Sequence, residues 1–504
     1  MKLIKTIILF GTATFCVSCS LDLDPTSTPT EITEGSPTDT TTAVLKDKAA
    51  AEAQLTNLYE RLRNSQEYSH LDLLAETEAH ADNAYAGGDG AEPKPFEKNS
   101  VDPTDGLLSR DWSAYLEDIA RSNVLINGVE QLHSAGQLSD ADYHAYKAQG
   151  EIFRAMHMFN MARLWGSFPL ITTIAKTITS SNIDEVYPTY FPPRSTQEEC
   201  YKQILADLTD AEQYAPDFNS ADRTLMTKTV AQAMLAKVYA EKPVQDYAKV
   251  ITYAEKVRAA SGMALEPEYS TLFGWDASKN DCVKRNTSEG ILEVHWYVGS
   301  SNWESWMYGR CLEDYDYYFT WVKWITPSRD LIQDFMQEGD TTRLNQSVVY
   351  YSCTWSDYYP ASHYPFMYKT RSGYNNLYML RLADILLMEA EAYAYQGNLS
   401  KSAELVNMVR ERAKLKDLTA DKTANKDAMI EAVLHERRLE LAFEGQRWFD
   451  LVRNGKVEEY MNTVNSRDTG RLQQVRAFDA NTYLLPIPQT ALDENNNLVQ
   501  NPGY

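Results

Sequence analysis

Cysteine is scarce in this chain, with 6 in 504 residues, and none of the four beyond residue 19 stands at C-x-x-C spacing to another. That removes thioredoxin-type redox chemistry and the common zinc modules. The four later ones, Cys200, Cys282, Cys311 and Cys353, are far apart and read as isolated buried thiols, although an oxidising compartment would permit disulfides. Histidine is thin as well: 8 residues, scattered, and His435-Glu436 is followed by Leu439 where H-E-x-x-H needs a second histidine. There is no G-x-S-x-G, no P-loop and no Rossmann fingerprint, so no catalytic residue, no metal site and no cofactor is expected. Basic residues are outnumbered, 48 Lys plus Arg against 71 Asp plus Glu, for a net charge of −23. Nucleic acid and polyanionic ligands need a basic footprint and are disfavoured; neutral ligands are compatible. No apolar run reaches the ~20 residues that a membrane-spanning helix requires.

What is present starts with an export signal. Lys2 and Lys5 precede a short apolar run over residues 7–15 that ends in small residues. Cleavage before Cys19 leaves that cysteine as the position a bacterial lipoprotein acylates, with Cys16-Val17-Ser18 ahead of it and Cys16 as the second choice of attachment site. The expected organisation is 1–18 signal peptide, 19–45 lipidated N-terminus and tether, and 46–504 a single domain. Residues 20–42 are rich in Thr, Pro, Ser and acidic side chains, too polar to bury a core, and are expected to act as the flexible part of the tether. Such a chain is anchored to a membrane by lipid and does not span it.

Helical periodicity dominates the body. Residues 380–396 form an apolar, alanine-rich helix, Gly397-Asn398 breaks it, and Ser400 is placed to cap a second helix to about residue 413. Ala390, Ala392, Ala394 and Ala403 allow close approach, and the Tyr393 to Ala403 register resembles a tetratricopeptide unit. Similar pairs are expected at 227–241 with 247–259, at 49–63 with 112–131, and at 143–165 with 196–215. The fold class is therefore mainly α: about four tetratricopeptide-like helical hairpins with a long irregular insertion. Within the domain, 46–262 and 379–504 are the helical parts and 263–378 is the insertion.

Two stretches break the helical pattern. Residues 81–93 read as a Gly-rich acidic loop containing Asp82, Asn83, Tyr85 and Asp89. The insertion is loaded with aromatics: residues 296–378 hold 6 of the 10 Trp and 13 of the 32 Tyr, too concentrated to be spread evenly through one core. Trp296 lies in an alternating run that reads as a short core strand. Flat rings with polar groups at their rim suit the C–H faces and hydroxyls of sugar rings. The candidate ligand-binding residues are Asp82, Asn83, Tyr85, Asp89, Trp303, Trp306, Tyr308, Tyr315 and Arg371. For each aromatic the plainer alternative is packing beneath a long loop. Asp82, Asp89 and Glu92 match no EF-hand spacing, and solvated loop charge is the plainer reading of them.

The C-terminal part carries the most unusual pattern. Glu436-Arg437-Arg438-Leu439-Glu440-Leu441-Ala442-Phe443-Glu444-Gly445-Gln446-Arg447-Trp448-Phe449-Asp450-Leu451 reads as a helix mixing apolar residues with interleaved opposite charges, the spacing of an ion-pair network and not of a catalytic pair. The chain then closes with Leu485-Pro486-Ile487-Pro488 and Gln500-Asn501-Pro502-Gly503-Tyr504, a stiff extension that makes sense as a docked end. Together these resemble the C-terminal signature of the SusD/RagB family. Trp112, Tyr115 and Asn123, Arg154-Ala155, Trp165-Gly166-Ser167-Phe168-Pro169 and Pro193-Arg194-Ser195 extend the resemblance from Cys19 to Tyr504.

The resemblance implies a SusD-like helical scaffold and a non-enzymatic lipoprotein on the outer face of the outer membrane, bound there through Cys19. Its partner would be a SusC-like TonB-dependent transporter, and its ligand a neutral glycan held by the two irregular regions. Two other readings stand beside it. A surface glycoside hydrolase would need a carboxylate pair from Glu304, Glu313, Asp314 and Asp316. A lid without ligand specificity of its own, or a protein taking peptides or another nutrient, would fit the same scaffold.

Overall fold

The structure is a computed structural model and describes residues 45–64, 67–87, 92–276, 278–279, 281–297, 324–371 and 374–504. Six helices lead the chain: α1 (Lys48–Asn64), α2 (Gly106–Ser134), α3 (Asp140–Leu164), α4 (Gln197–Tyr214), α5 (Lys228–Ala240) and α6 (Tyr247–Arg258). After α7 (Arg329–Glu338), the longest helix among the described residues of the insertion, come α8 (Leu382–Tyr395), α9 (Leu399–Arg412), α10 (Lys426–Glu440) and α11 (Arg447–Asn454). The starts follow from local chemistry. Asp105, Ser139 and Asp246 accept from the free N–H groups of α2, α3 and α6, and Thr196 with Glu199 forms a reciprocal box on α4. At α9 the cap is Asn398, which accepts from Lys401, and not Ser400; Gly397 at φ +82° makes the turn before it.

Helices stand at each expected pair. Successive pairs also pack on each other, α2 on α3, α4 on α5, and α6 on α8, so the scaffold is one continuous stack. A single apolar core runs through it. Among the described residues no helix is long and apolar enough to cross a membrane.

Beside its helices, the described part of the insertion forms small antiparallel strand pairs, one of them with residues 84–86. β1 (Ala84–Ala86) pairs with β5 (Ile325–Pro327), β2 (Trp275–Asp276) with β3 (Asp281–Cys282), β4 (Gly290–His295) with β8 (Asn376–Arg381), and β6 (Val348–Tyr351) with β7 (Tyr364–Met367). Trp296, just past β4, is buried in the core as its alternating run predicts. Cys200, Cys282 and Cys353 are buried free thiols; Cys311 lies outside the described residues.

The C-terminal signature is a charge network, but not one helix. Glu440 receives Arg343, Arg381 and Arg412; Glu436 receives Arg343 and Arg410; Asp450 receives Arg437 and Arg453. Burial alone would raise the Glu440 carboxyl, and these arginines reverse that and hold it well below the usual range. Between α10 and α11 the backbone turns, with Phe443 at φ +62° and Gly445 at φ +70°. Buried Glu78 accepts the Gly445 N–H at 2.9 Å and those of Phe443 and Gln446 at 3.3 Å, capping the start of α11. The chain end is docked: Leu485 N–H donates to Leu164 O at 2.8 Å, Trp165 Nε1 to Pro486 O at 3.2 Å, and Asn501 Nδ2 to Leu485 O at 2.7 Å.

Candidate ligand-binding face

The Gly-rich acidic stretch does not form a solvent rim. Asp82 is fully buried, accepting from Arg447 Nε at 2.8 Å and Nη2 at 3.0 Å and from Arg467 Nη2 at 2.9 Å, with Arg438 at 3.4 Å. Burial would raise its carboxyl; Arg438, Arg447 and Arg467 outweigh that and hold it well below the ordinary range. Asn83 beside it is buried too, donating to Glu78 at 2.7 Å and accepting from Arg438 Nε at 2.9 Å. The Tyr85 ring stacks on Tyr358 with centroids 4.6 Å apart, and its hydroxyl donates to Asp468 at 2.7 Å. These three side chains are brought together, as a buried joint between β1 and the C-terminal part of the chain. The reason is electrostatic: arginines buried from the C-terminal side require carboxylates, and Asp82 answers three of them. With its carboxylate so occupied, Asp82 is not placed to join a loop calcium site.

Arg371 is likewise turned inward. Its Nε donates to Tyr368 O at 3.0 Å, its Nη2 donates to Gln346, and the guanidinium lies 3.9 Å from the Tyr368 ring. Asp89, Trp303, Trp306, Tyr308 and Tyr315 lie outside the described residues, as does the attachment cysteine Cys19.

The described chain stops at Tyr297 and resumes at Trp324, and an aromatic corner sits at the first of these points. Tyr297 is 51% exposed, and its ring lies 4.4 Å from the Arg285 guanidinium. Arg285 is held in place by Asp281 at 2.6 Å, by Asn376 Oδ1 at 2.9 Å, and by the carbonyls of Trp296 at 2.7 Å and Tyr374 at 2.9 Å. Through Tyr374 it links the corner to a second ring pair: Trp275 and Tyr374 stack with centroids 6.0 Å apart at 29°, both half-buried. The result is an exposed ring, Tyr297, over the Arg285 guanidinium, with the half-buried Trp275–Tyr374 pair linked to it through the Tyr374 carbonyl; β2, the end of β4 and the start of β8 position them. On the β6–β7 hairpin Tyr350 and His363 form another exposed stack at 4.2 Å.

Sequence reasoning did not select Trp275, Arg285, Tyr297 or Tyr374 as site residues. Their signal is weak because they come from separate segments; β4–β8 pairing brings Tyr297 near Tyr374, and Cys282 and Arg285, both reaching the Tyr374 carbonyl, tie in the β2–β3 hairpin. Chemically, such a corner offers aromatic faces beside fixed polar groups and holds no carboxylate pair free for acid–base work, since Asp281 is engaged by Arg285.

Comparison with known proteins agrees with the architecture. A family model described as SusD family matches residues 345–504, and one described as starch-binding associating with outer membrane matches residues 35–240. SusD-like protein P2 of Formosa agariphila is 29% identical over 470 residues, covering 84% of this chain and 86% of the relative. A SusD-like protein of Bacteroides ovatus is 26% identical over 498 residues, covering 89% and 82%. Among solved structures, a SusD superfamily protein from Bacteroides vulgatus superposes with a TM-score of 0.74 at 21% identity, covering 92% of this chain and 100% of that one. A laminarin-binding SusD-like protein gives 0.69 at 23% identity, covering 91% and 100%. Taken with the buried C-terminal network and the continuous helical stack, these matches place the chain in the SusD/RagB family.

Proposed function

We propose that this protein is a non-catalytic glycan-binding lipoprotein, acylated at Cys19 and displayed at the outer membrane, that captures an oligosaccharide and passes it to a SusC-like TonB-dependent transporter. The observation that carries the reading is the Trp275/Tyr374/Tyr297 corner on a SusD scaffold, at the edge of the segment that holds Trp303, Trp306, Tyr308 and Tyr315. The family description, starch-binding associating with outer membrane, and the laminarin-binding neighbour support a glycan as the ligand class. The acidic balance, net −23, favours a neutral one. Modest affinity suffices, because enclosure between protein and transporter raises the effective ligand concentration.

The test is titration calorimetry of the Cys19→Ala chain against neutral polysaccharides and their oligomers. Saturable heat that is lost in Tyr297→Ala and in Trp303→Ala/Trp306→Ala supports the reading and locates the face. Turnover of a labelled oligosaccharide would instead establish a hydrolase. Silence across the panel with folded protein leaves the lid reading or a non-glycan nutrient, which co-purification with the transporter then separates.

A further inference from the structure

Away from this face, a cavity of about 110 Å³ lies between α3, α5, β8 and the turn ahead of α11. Met156, Phe159, Met234, Phe273, Met367 and Phe443 line it, all of them buried. In size it is of the same order as the ~150 Å³ apolar cavity that takes up benzene or xenon. The methionines make its shape adaptable.

Part of the lining is different. Arg163, Lys237, Lys369 and Gln446 also border the cavity. Lys237 has Asp384 as its partner, and Lys369 has Glu444 at 2.5 Å. Arg163 has no equivalent: among the described residues no carboxylate comes within the 4.0 Å of an ion pair. Its guanidinium lies between the rings of Phe159 at 4.2 Å and Phe449 at 3.8 Å, one terminal nitrogen donates to the Asn160 amide, and Nε is buried without a hydrogen-bond partner. Glu241 acts on it through space without reaching contact. Burial pushes all three cations below their ordinary values. A second lining group, His70, also has its Nε2 buried and unpartnered.

Arg163 is half-buried with its Nε wholly out of solvent, and a cation so desolvated without a contacting anion is unfavourable; an anion delivered from outside relieves it. The apolar part of the lining has nothing to offer the oxygens of an inorganic oxyanion and suits an anion that carries a hydrocarbon chain. We propose that the cavity binds a small aliphatic monocarboxylate, its carboxylate on Arg163 and its chain along the apolar wall. By comparison with six-carbon benzene, a chain of about four to six carbons fits.

The test is calorimetric titration of the Cys19→Ala chain with sodium hexanoate and with hexan-1-ol, its neutral counterpart. Expected are saturable 1:1 binding of hexanoate, at least tenfold weaker binding of the alcohol, and at least tenfold weaker hexanoate binding in Arg163→Gln. Should that variant not fold, Met234→Trp fills the cavity from its wall, and loss of hexanoate binding with a cooperative melt supports the assignment. Silence with hexanoate, equal affinity for acid and alcohol, or full affinity in a folded Arg163→Gln or Met234→Trp overturns it.

Discussion

Arg447 and Asp82, 365 positions apart, meet through a two-pronged contact, Nε at 2.8 Å and Nη2 at 3.0 Å, with both side chains buried. Arg438 and Arg467 converge on the same carboxylate. Removing it leaves Arg447 buried without a contacting carboxylate, while Arg438 and Arg467 keep Asp330. Asp82→Ala is expected to destabilise by about 3–5 kcal/mol, the range for breaking a buried pair from one side. Urea unfolding followed by circular dichroism measures this. A change under ~1 kcal/mol, the scale of exposed pairs, would mean that Asp82 is solvated in solution.

A second buried cluster has the opposite sign. Asp72, Glu76 and Asp111 are fully buried, and Arg110 pairs with Asp72. Burial first, then the charge of Asp72, raises the Glu76 carboxyl well above its ordinary value. The folded state therefore keeps a proton that the unfolded chain releases in the usual carboxyl range, and stability falls as pH rises above that range. Glu76→Gln should be neutral near pH 4 and stabilising at pH 8, by ~1 kcal/mol or more, since one pKa unit is worth about 1.4 kcal/mol. Melting curves at the two pH values decide it; an equal shift at both would show that the proton plays no part.

The aromatic corner makes a graded prediction. Tyr297→Ala removes an exposed ring and should weaken oligosaccharide binding about tenfold, ~1.4 kcal/mol, without lowering the melting temperature. Trp275→Ala should weaken binding comparably and also lower stability, because that ring is half-buried against Tyr374. Calorimetry and melting on the same samples separate the two effects. Unchanged affinity in both variants would remove the corner from the site.

Gly166 tests the docked chain end. Its φ is +81°, and an added Cβ would stand 2.6 Å from Leu484 Cδ1. Gly166→Ala should cost about 1–3 kcal/mol in backbone strain and crowding, and should loosen the extension that Trp165 and Asn501 hold. Limited proteolysis is expected to cut faster within residues 484–504. Unchanged cleavage would show that the extension is held without the Gly166 turn.

Much of this molecule is legible from local pattern alone. The 3.6-residue apolar period and the capping side chains of Ser139 and Thr196 mark helices because both act within one or two turns. The interleaved charges at Glu436, Arg437, Glu440 and Asp450 disclose an ion network because so mixed a helix is stable only when paired. Composition likewise excluded a basic footprint and the familiar catalytic motifs.

The tertiary structure alone decided where those charges find partners. Nothing near Asp82 in sequence separates a loop carboxylate in water from one held by Arg438, Arg447 and Arg467; long-range packing made that choice. It also placed the break at Phe443 and Gly445, where Glu78 from the far end of the chain caps the following helix. The corner of Trp275, Tyr297 and Tyr374 arises the same way, from strand pairing and Arg285. Local sequence sets which backbone conformations are favourable; the desolvation of charges and rings is set by neighbours that only the folded chain supplies.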